Sequence, residues 1–377
     1  MTDIFELADA LGPLKTIYIH EPSIGLQGIL VIDNVAIGPS IGGVRIAPDV
    51  STEECFRLAR AMTLKNAAAG LPHGGGKAVL YGDPKMPKSD KQRLIRAFAS
   101  ALQNTDEYIF GPDMGTDEEC MAWVHDEIGR AVGLPSELGG IPLDQIGATG
   151  FGMSHATDVA LEHCDFELEG ARVAVQGFGA VGMHVARFLT DEGAILIAAA
   201  DSRGTIHNPA GLDVAKLIEL KSNGGSLADY TDARKFGRDD IIDIECEIWI
   251  PAARPDVIRE DNVSRLRTKL IVQGANIPIT HTAEKILADR GVLNIPDFIA
   301  NAGGVICGAV EHQGASEAVA LATIEQKVRQ NTQIVLERAK EQGVLPRQAA
   351  VDFARARVEK AMSFGRFSSF SAAPGFV

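Results

Sequence analysis

Residues 172–182 have the sequence RVAVQGFGAVG. It places a GxGxxG pattern after a run of strand-forming residues and before MHVARFLTDEG, an amphipathic helical run. In such a turn the first glycine permits a tight bend, the second lets the backbone approach a pyrophosphate, and the third lets the helix pack on the strand. The helix N-terminus then faces the anion. The stretch predicts a dinucleotide-binding unit whose cofactor contacts are Gly177, Phe178, Gly179, Ala180, Val181 and Gly182.

The residues at the end of the next predicted strand bear on the choice of cofactor. Asp201 ends AILIAAAD, at the separation from the glycines where an acid can bond the adenosine ribose. That acid favours NAD, whereas Ser202 and Arg203 just beyond it could accept the 2′-phosphate of NADP. A lone glycine motif would fit a packing turn, but here strand, helix and acid accompany it. The sequence therefore predicts a nicotinamide cofactor and leaves NAD and NADP open.

Strand-like and helical runs alternate from residue 171 onwards, with EIWIPAA at 247–253 as one of the later strands. This alternation indicates a parallel, doubly wound sheet, and the fold class is therefore α/β. Before it, residues 16–46 are rich in β-branched residues and glycine, which predicts a short antiparallel or mixed sheet. Capping-box patterns predict that helices begin at Ser51, Ser89 and Thr116.

Length and composition narrow the class of protein. A chain of 377 residues suggests two domains. Its formal net charge of -14 disfavours nucleic acid or an anionic membrane as a partner. No uncharged apolar run of about 18 residues is present to span a bilayer. The five cysteines form no CxxC pair, and the N-terminus has no signal-peptide pattern. We expect a cytoplasmic protein with reduced thiols and without a metal site, a nucleic-acid partner or a membrane partner.

A second glycine cluster, LPHGGGK at 71–77, places a lysine beside closely packed backbone. Burial and a second cation lower the pKa of a lysine in general, and Lys65 is a candidate for that cation. A lysine with a pKa near neutrality can act as a general base, while one that stays charged can hold a carboxylate. Asp113 follows the predicted strand EYIF in a turn, where a carboxylate is well placed for chemistry. For Lys65, Lys77 or Asp113 alone, a surface charge or a salt bridge is the more ordinary interpretation.

Several blocks of the sequence resemble those of a known family. LPHGGGKAVLYGDP, residues 71–84, resembles the lysine signature of the glutamate/leucine/phenylalanine/valine dehydrogenase superfamily. Six further blocks occur in family order: MTLKNAAAGL (62–71), GPDMGT (111–116), ATG (148–150), QGFGAVG (176–182), GAN (274–276) and NAGGV (301–305). The resemblance implies an N-terminal α/β domain for substrate binding and oligomerisation over 1–145, a Rossmann-type NAD(P)-binding domain over 146–339, and a cleft between them. It also implies that the helices at about 340–377 return to the first domain.

The resemblance implies a reaction and roles for individual residues. The reaction is reversible oxidative deamination of an L-amino acid to a 2-oxo acid and ammonium, with hydride transfer from the substrate Cα to nicotinamide. Lys77 would activate water, Asp113 would move protons to and from the substrate nitrogen, and Lys65 would hold the α-carboxylate. The side chains that would lie by the nicotinamide half of the cofactor are Thr149, Asn276 and Asn301. The remaining predicted contacts are Ser202 and Ala252 for the cofactor, and Gly42 and Met114 for the substrate.

The side-chain pocket separates members of the superfamily. Members that use glutamate have a lysine in the block GPxxGGxR and a serine three residues after NAGGV, where this chain has Ile41 and Gly308. Burial of an unpaired substrate carboxylate there would cost several kcal/mol of binding free energy. We therefore predict an apolar substrate, branched or aromatic, and a pocket closer to the leucine/phenylalanine type. Arg45 or His73 could still turn inward to meet an acid. The predicted pocket walls are Ile41, Gly111, Val305 and Gly308.

Other functions stay open from the sequence. Glutamate dehydrogenase is one alternative. A catalytically silent regulatory subunit is another, although such a subunit would be free to lose Lys77 or Asp113, and both are present. A hydroxy-acid dehydrogenase would share only the nucleotide-binding domain and would not account for the GGGK block. Members of the superfamily form hexamers, octamers or smaller assemblies, so the resemblance implies a homo-oligomer.

Overall fold

The computed structural model describes residues 4–364, and these divide into two compact units. Within the described residues, the units comprise 4–142, 305–320 and 351–364 for the first, and 143–304 and 321–350 for the second. The domain ranges predicted from the sequence do not include this exchange of segments. The segment at about 340–377 that was predicted to return to the first domain extends past residue 364. That prediction therefore lies partly outside the described residues.

The first unit is built on a five-stranded mixed sheet. Its strands are β1 (Lys15–Glu21), β2 (Leu26–Asn34), β3 (Ser40–Ala47), β4 (Gly74–Tyr81) and β5 (Tyr108–Pro112). In space their order is β1-β2-β4-β3-β5. Strand β2 is antiparallel to β1 and β4, whereas β3 is parallel to β4 and β5. The predicted mixed sheet is confirmed.

Helices cover both faces of this sheet: α1 (Thr52–Ala68), α2 (Lys88–Ala101) and α3 (Glu118–Ile128). Alternate residues of a strand point to opposite faces. In β2, Ile29 and Val31 therefore pack in one buried cluster with residues of α1, whereas Leu30 and Ile32 pack in another with residues of α2 and α3. The near-continuous apolar run of β2 thus follows from burial on both faces.

The predicted helix starts are correct for one helix of the three. Ser51 caps α1, and its Oγ accepts a hydrogen bond from the backbone N–H three residues on, at 3.1 Å. Pro87 precedes α2 and Asp117 caps α3, in place of Ser89 and Thr116. A proline directly before a helix loses no intrahelical hydrogen bond, and an aspartate caps as well as a serine.

The second unit is built on a seven-stranded sheet. Its strands are β6 (Arg172–Gln176), β7 (Ile195–Asp201), β8 (Gly204–His207), β9 (Arg234–Phe236), β10 (Ile248–Pro251), β11 (Leu270–Val272) and β12 (Leu293–Ile295). The spatial order is β12-β11-β10-β6-β7-β8-β9, and the first five strands of that order are parallel. The predicted parallel sheet is confirmed for these five strands, whereas β8 and β9 extend it as antiparallel strands. Only Ser202 and Arg203 connect β7 to β8, and so short a connection makes a hairpin.

The remaining elements complete the chain. The other helices of the second unit are α4 (Leu143–Ile146), α5 (Ala148–Leu161), α6 (Ala180–Asp191), α7 (Val214–Ser222), α8 (His281–Asp289) and α9 (Asp297–Ala300). They are followed by α10 (Gly303–His312), α11 (Glu317–Gln342) and α12 (Pro346–Met362). Short 3-10 turns occupy Ile4–Leu7, Pro22–Ile24, Ser136–Leu138, Leu227–Asp229, Arg238–Asp243 and Val263–Arg265. Between residues 4 and 364, no helix is both long and apolar enough to cross a membrane.

Candidate active site

Lys77 and Asp113 form an ion pair in the first unit. Lys77 Nζ lies 2.7 Å from Asp113 Oδ2, and 7% of the lysine side chain is exposed. Lys77 lies within β4 and Asp113 directly follows β5, so the two residues come from the strands on either side of β3. The group that meets the Lys77 ammonium is thus a carboxylate, and the suggestion that Lys65 is a neighbouring cation stays a prediction. The ion pair joins the two residues predicted to be catalytic.

Gly43, on the intervening strand β3, leaves the space in which this pair forms. A Cβ atom at Gly43 would lie 2.7 Å from Asp113 Cβ, 2.7 Å from the Pro112 carbonyl oxygen and 3.2 Å from Lys77 Nζ. Any larger residue would have to displace backbone as well as side chains. Sequence reasoning missed Gly43, although paired glycines inside a strand signal a close approach.

A second cation reaches the same carboxylate oxygen. Arg45 Nε donates to Asp113 Oδ2 at 3.0 Å, and Arg45 Nη1 donates to Glu54 Oε1. Burial alone would raise the pKa of Asp113, but the charges of Lys77 and Arg45 hold it well below its usual range. Asp113 is therefore an anion at neutral pH. Arg45, which the sequence left free to meet an acidic substrate, is committed to these two carboxylates.

The turn after β5 is fixed by Thr116. Its Oγ1 accepts a hydrogen bond from Asp113 N at 2.9 Å and donates one to Val44 O at 2.8 Å. These bonds tie the Asp113 backbone to β3. Met114, a predicted substrate contact, is the next residue of the turn and has an exposed side chain, while its carbonyl accepts a hydrogen bond from Ile46 N at 2.9 Å.

Lys65 is half-buried in the last turn of α1. The helix packs closely on β4 at Gly75, where a Cβ atom would lie 2.0 Å from the backbone nitrogen of Thr63. Beside Lys65, Asn66 Nδ2 donates to the Gly74 carbonyl at 2.6 Å. The end of α1 that carries Lys65 is therefore held against the strand that carries the predicted catalytic lysine.

Ile41 lies in a small aliphatic cluster with Ile109 and Val132. The exposed fractions of these residues are 5%, 0% and 4%. A Cβ atom at Gly308 would lie 3.3 Å from Val132 Cγ2, and one at Gly111 would lie 3.6 Å from the same atom. Three of the four predicted pocket residues thus surround Val132. Sequence reasoning missed both Ile109 and Val132, which lie outside the blocks that suggested a pocket.

The segment that carries Val132 is held by Glu311 of α10. The Glu311 carboxylate accepts hydrogen bonds from Leu134 N at 3.0 Å and Ile141 N at 2.9 Å. Burial raises the pKa of Glu311. Val305, the fourth predicted pocket residue, is half-buried in the same helix.

Two further residues of this region pack within the protein. A Cβ atom at Gly42 would lie 1.8 Å from the Gly76 carbonyl oxygen, so this predicted substrate contact packs against β4. His73 is buried, with Nδ1 3.2 Å from the Pro39 carbonyl oxygen and its ring edge-on to His312. Burial and His312 lower the pKa of His73 to about 4. His73 is therefore neutral at neutral pH.

The glycine turn of the second unit begins where β6 ends, at Gln176. Gly177 has φ 96°, and a Cβ atom there would lie 2.7 Å from the Ala252 backbone. A Cβ atom at Gly182 would lie 1.9 Å from the Gly177 carbonyl oxygen, whereas one at Gly179 would meet no atom within 4 Å. Gly179 thus leaves open space before α6, whose N-terminus carries no side-chain cap. This combination fits a pyrophosphate.

Other residues of the turn differ in accessibility. Phe178 is buried, and its backbone N–H donates to the Ala200 carbonyl at 2.9 Å. Ala180 is exposed and Val181 is half-buried in the first turn of α6. Ala252 donates its backbone N–H to the Gln176 carbonyl at 2.7 Å and so joins the end of β10 to the turn. The exposed positions of the turn are those able to face a cofactor.

The Asp201 carboxylate accepts hydrogen bonds from four neighbouring residues of the protein. Its Oδ2 lies 3.1 Å from Lys221 Nζ, 3.0 Å from Ser226 Oγ and 2.9 Å from Leu227 N, and its Oδ1 accepts a hydrogen bond from Arg203 N at 2.9 Å. Burial would raise the pKa of Asp201, but these hydrogen bonds lower it overall. A carboxylate with so many partners has little capacity left for a ribose hydroxyl.

The side chains beside Asp201 are open to a phosphate. Ser202 and Arg203 are exposed in the two-residue connection between β7 and β8. Lys221, which sequence reasoning missed, adds a second cation close to them through its bond to Asp201. The region therefore leaves the choice between NAD and NADP open.

Two of the three residues predicted to contact the nicotinamide, Asn276 and Asn301, are hydrogen-bonded to each other. Asn301 Nδ2 donates to Asn276 Oδ1 at 3.1 Å. Thr149 lies in the first turn of α5, and its Oγ1 would be 3.0 Å from a Cβ atom at Gly304. After Asn276, Ile277 has φ 48°, a conformation that is rare for a β-branched residue and typical of functional sites. Among residues 4–364, no group of three or more His, Cys, Asp and Glu side chains is placed to hold a metal ion.

Two family models match the chain in succession. Residues 19–130 match the Glu/Leu/Phe/Val dehydrogenase dimerisation domain, and residues 139–365 match the Glutamate/Leucine/Phenylalanine/Valine dehydrogenase model. The chain belongs to the Glu/Leu/Phe/Val dehydrogenase family. The superfamily implied by the sequence blocks is confirmed.

Sequence relatives of this dehydrogenase are named glutamate dehydrogenases. One from Aeropyrum pernix is 39% identical over 322 residues, which are 80% of this chain and 77% of the relative. An NADP-specific enzyme from Saccharolobus shibatae is 38% identical over 74% of this chain and 69% of its own length. An NAD-specific enzyme from Staphylococcus aureus is 35% identical over 72% of this chain and 68% of its own length. These names confirm NAD or NADP as cofactor, but they do not confirm a pocket of the leucine/phenylalanine type.

Solved structures confirm the predicted two-domain α/β fold. A hetero-hexameric glutamate dehydrogenase from Thermus thermophilus, in a leucine-bound form, has a TM-score of 0.86 and 29% identity and covers 94% of this chain and 91% of its own. An L-tryptophan dehydrogenase from Nostoc punctiforme has a TM-score of 0.73 and 25% identity and covers 95% and 99%. This member of the family is therefore an amino-acid dehydrogenase, an oxidoreductase that acts on CH–NH2 with NAD or NADP.

Proposed function

We propose that this dehydrogenase deaminates an L-amino acid with an apolar side chain, branched or aromatic. The observation that carries the proposal is the cluster of Ile41, Ile109 and Val132, bordered by Gly111 and Gly308. The cluster is aliphatic throughout, and a side chain at either glycine would contact Val132. Burial of a hydrocarbon side chain there is favourable by about 25 cal/mol per Å² of apolar surface, whereas an unpaired carboxylate is strongly disfavoured.

The proposed roles divide between the two units. In the first, Lys65 holds the substrate α-carboxylate, Lys77 activates water, and Asp113 moves a proton from the substrate nitrogen. In the second, the open position at Gly179 and the N-terminus of α6 hold the pyrophosphate. Bound NAD or NADP in its oxidised form supplies the hydride acceptor. The side chains proposed to lie by the nicotinamide are Thr149, Asn276 and Asn301.

The residues of the first unit suit the chemistry on the substrate. Asp113, held as an anion, is in the protonation state that accepts a proton from the substrate ammonium group. Loss of that proton and of the Cα hydride leaves a protonated imine. Water then adds to the imine carbon beside Lys77 to give a carbinolamine. The two protons of the water pass to the nitrogen as the C–N bond breaks, and the products are the 2-oxo acid and ammonium. The Lys77 ammonium stabilises the negative charge that develops on oxygen.

Glutamate is the second candidate substrate. The names of the sequence relatives favour glutamate over the apolar class. Against it, Arg45 is paired with Asp113 and Glu54, and the Nδ1 of His73 faces a backbone carbonyl. The relatives and the aliphatic cluster thus favour different substrates, and turnover measurements distinguish them.

We also propose a homo-oligomer, and a cytoplasmic location stays a prediction. The match of residues 19–130 to a family dimerisation domain and the likeness to a hetero-hexameric enzyme support self-association. Size-exclusion chromatography with light scattering measures the mass of the protein in solution. A monomer at assay concentration would contradict the oligomer.

A substrate panel tests the proposed function. Leucine, valine, phenylalanine, tryptophan and glutamate are compared with NAD and NADP in parallel, and the absorbance of reduced cofactor is recorded. We expect kcat/KM for an apolar amino acid to exceed that for glutamate by about tenfold or more. Preference for glutamate by about a hundredfold would establish the second candidate instead. Turnover should disappear in Lys77→Ala, and no turnover by the native enzyme would favour a silent regulatory subunit.

A further inference from the structure

Arg45 and Glu54 connect the proposed catalytic pair to helix α1. Arg45 lies on β3 two residues after Gly43, so both project from the same face of the strand. Arg45 Nε bonds Asp113 Oδ2, and Arg45 Nη1 bonds Glu54 Oε1 on α1. One guanidinium group therefore bridges a carboxylate of the proposed active site and a carboxylate of a helix that packs on the sheet.

The bridge determines where the Asp113 carboxylate lies. Asp113 Oδ2 lies 2.7 Å from Lys77 Nζ and 3.0 Å from Arg45 Nε, so two cations from adjacent strands hold one oxygen. The Asp113 backbone is fixed separately by Thr116. Without Arg45, Lys77 alone would orient the carboxylate, and the flexible lysine stem is a weaker guide than a planar guanidinium.

We propose that Arg45 is a positioning residue for the deamination reaction, that it fixes the Asp113 carboxylate for proton transfer with the substrate nitrogen, and that Glu54 fixes Arg45. The inference rests on the proposed role of Asp113. Arg45 touches neither substrate nor cofactor in this role and acts through Asp113. The alternative is that Arg45 merely joins β3 to α1 and contributes only to stability.

The two roles differ in the kinetic constant that they affect. A misplaced Asp113 slows the proton transfer and lowers kcat, while the KM for the amino acid, which depends on Lys65 and the side-chain pocket, changes little. A displacement of about 1 Å at a reacting group can cost about a hundredfold in rate. A purely structural role would lower the unfolding temperature and leave kcat per folded molecule unchanged.

The test compares Arg45→Met, Arg45→Gln, Arg45→Lys and Glu54→Gln with Arg96→Met as the matched control. Arg96 on α2 also joins two carboxylates, Asp126 and Glu127, but none of these residues belongs to the proposed site. Steady-state kcat and KM are measured with the best amino acid of the panel, and circular dichroism reports the folded fraction and the unfolding temperature.

We expect Arg45→Met and Arg45→Gln to lower kcat about 30-fold to 100-fold while KM stays within about threefold. Arg45→Lys should recover about tenfold of that loss, because it returns a cation but not the fork that spans two carboxylates. Glu54→Gln should lower kcat about threefold to tenfold, and Arg96→Met should match the native enzyme within about twofold.

The proposal is overturned if either neutral Arg45 variant keeps kcat within about twofold of the native value, or if only KM changes. It is also overturned if Arg45→Lys recovers nothing, or if both neutral variants fail to fold while Arg96→Met folds, since Arg45 would then be structural. An unchanged kcat in Glu54→Gln would remove Glu54 from the proposal. Absence of turnover in the native enzyme, by contrast, would contradict the proposed function itself.

Discussion

Two strands of the molecule end in an aspartate that meets a lysine, Asp113 after β5 and Asp201 at the end of β7. The pKa of each carboxyl group is lowered. Asp113 shares one oxygen between two side-chain cations. Asp201 is bonded by one lysine, one hydroxyl group and two backbone N–H groups. The partners of the two acids therefore differ in kind, although the direction of the pKa change is the same.

A lowered pKa therefore does not by itself distinguish a catalytic carboxylate from a structural one. Backbone N–H groups cannot leave Asp201 without opening the turns that they belong to, so its bonds hold the end of β7 to its neighbours. Asp113 is instead held by the charged side chains of Lys77 and Arg45, in the ion pair that joins the two residues proposed to be catalytic. The exposed fraction of the side chain agrees, at 20% for Asp113 and 7% for Asp201. We therefore expect Asp113 to act in catalysis and Asp201 in folding.

Removal of each charge in turn can break this comparison, and it has the largest expected effect. Asp113→Asn keeps the shape of the side chain but cannot accept a proton, so kcat should fall by about a thousandfold. Asp201→Asn should keep kcat within about tenfold and instead lower the free energy of unfolding by about 1.5 to 3 kcal/mol, the range for hydrogen bonds to charged groups. Kinetics and urea unfolding on both variants supply the numbers. Equal losses of kcat would refute the distinction.

Two glycines, Gly43 in the first unit and Gly179 in the second, extend this contrast. Gly43→Ala would place Cβ 2.7 Å from Asp113 Cβ and from a carbonyl oxygen, so we expect a loss of about 1 to 3 kcal/mol in unfolding free energy together with a fall in kcat. Gly179→Ala adds Cβ to open space, so its unfolding free energy should change by less than about 0.5 kcal/mol. Its KM for the cofactor should rise, because the backbone must approach the pyrophosphate there. A destabilised Gly179→Ala with normal cofactor binding would contradict this assignment.

As the pH falls, His73 should destabilise the first unit at a higher pH than Asp113 does. The pKa of His73 is lowered from 6.5 to about 4 by burial, so the unfolded chain binds the extra proton between those pH values. Stability therefore falls as pH drops from 6.5 to about 4, by up to about 3 kcal/mol for this group alone. His73→Leu should flatten that part of the stability profile. Urea unfolding across this pH range measures the slopes, and parallel profiles for native enzyme and His73→Leu would rule the assignment out.

The smallest expected effect concerns the cofactor. Lys221→Met removes the cation that faces Asp201 and leaves the acid less neutralised beside Ser202 and Arg203. The ratio of kcat/KM for NADP to that for NAD should therefore fall by about fivefold. Lys216→Met is the matched control, since Lys216 pairs with Asp213 on the exposed surface. A shift of equal size in the control would leave no role for Lys221 in cofactor choice.

Short sequence patterns predicted much of the fold and many residues of the candidate site. The turn at Gly177 could be recognised because its strand, glycines and helix are contiguous. Lys77 and Asp113 were found through local blocks, and the structure pairs them. Strands β8 and β9 were missed because they have four and three residues, too few to show a period of two. Ser202 and Arg203 were interpreted as possible phosphate contacts. That these two residues also form the short connection of a hairpin was not predicted.

The contacts of the site that the sequence did not show are those between residues that are distant in sequence. Arg45 meets Asp113 only because β3 lies beside β5 in the sheet, an order that crosses the chain sequence. Lys221 reaches Asp201 from the next long helix, and no local pattern marks it. Gly43 is required by atoms from two other strands. Sheet order and register supply these contacts, and a single sequence contains no direct signal for them.

The most direct test of the account is the rate of reduced-cofactor formation by the native enzyme, Asp113→Asn and Asp201→Asn, with the five amino acids and both cofactors. The account predicts that the native enzyme and Asp201→Asn convert an apolar amino acid to its 2-oxo acid and ammonium, while Asp113→Asn does not. Loss of turnover in Asp201→Asn with turnover preserved in Asp113→Asn would contradict it.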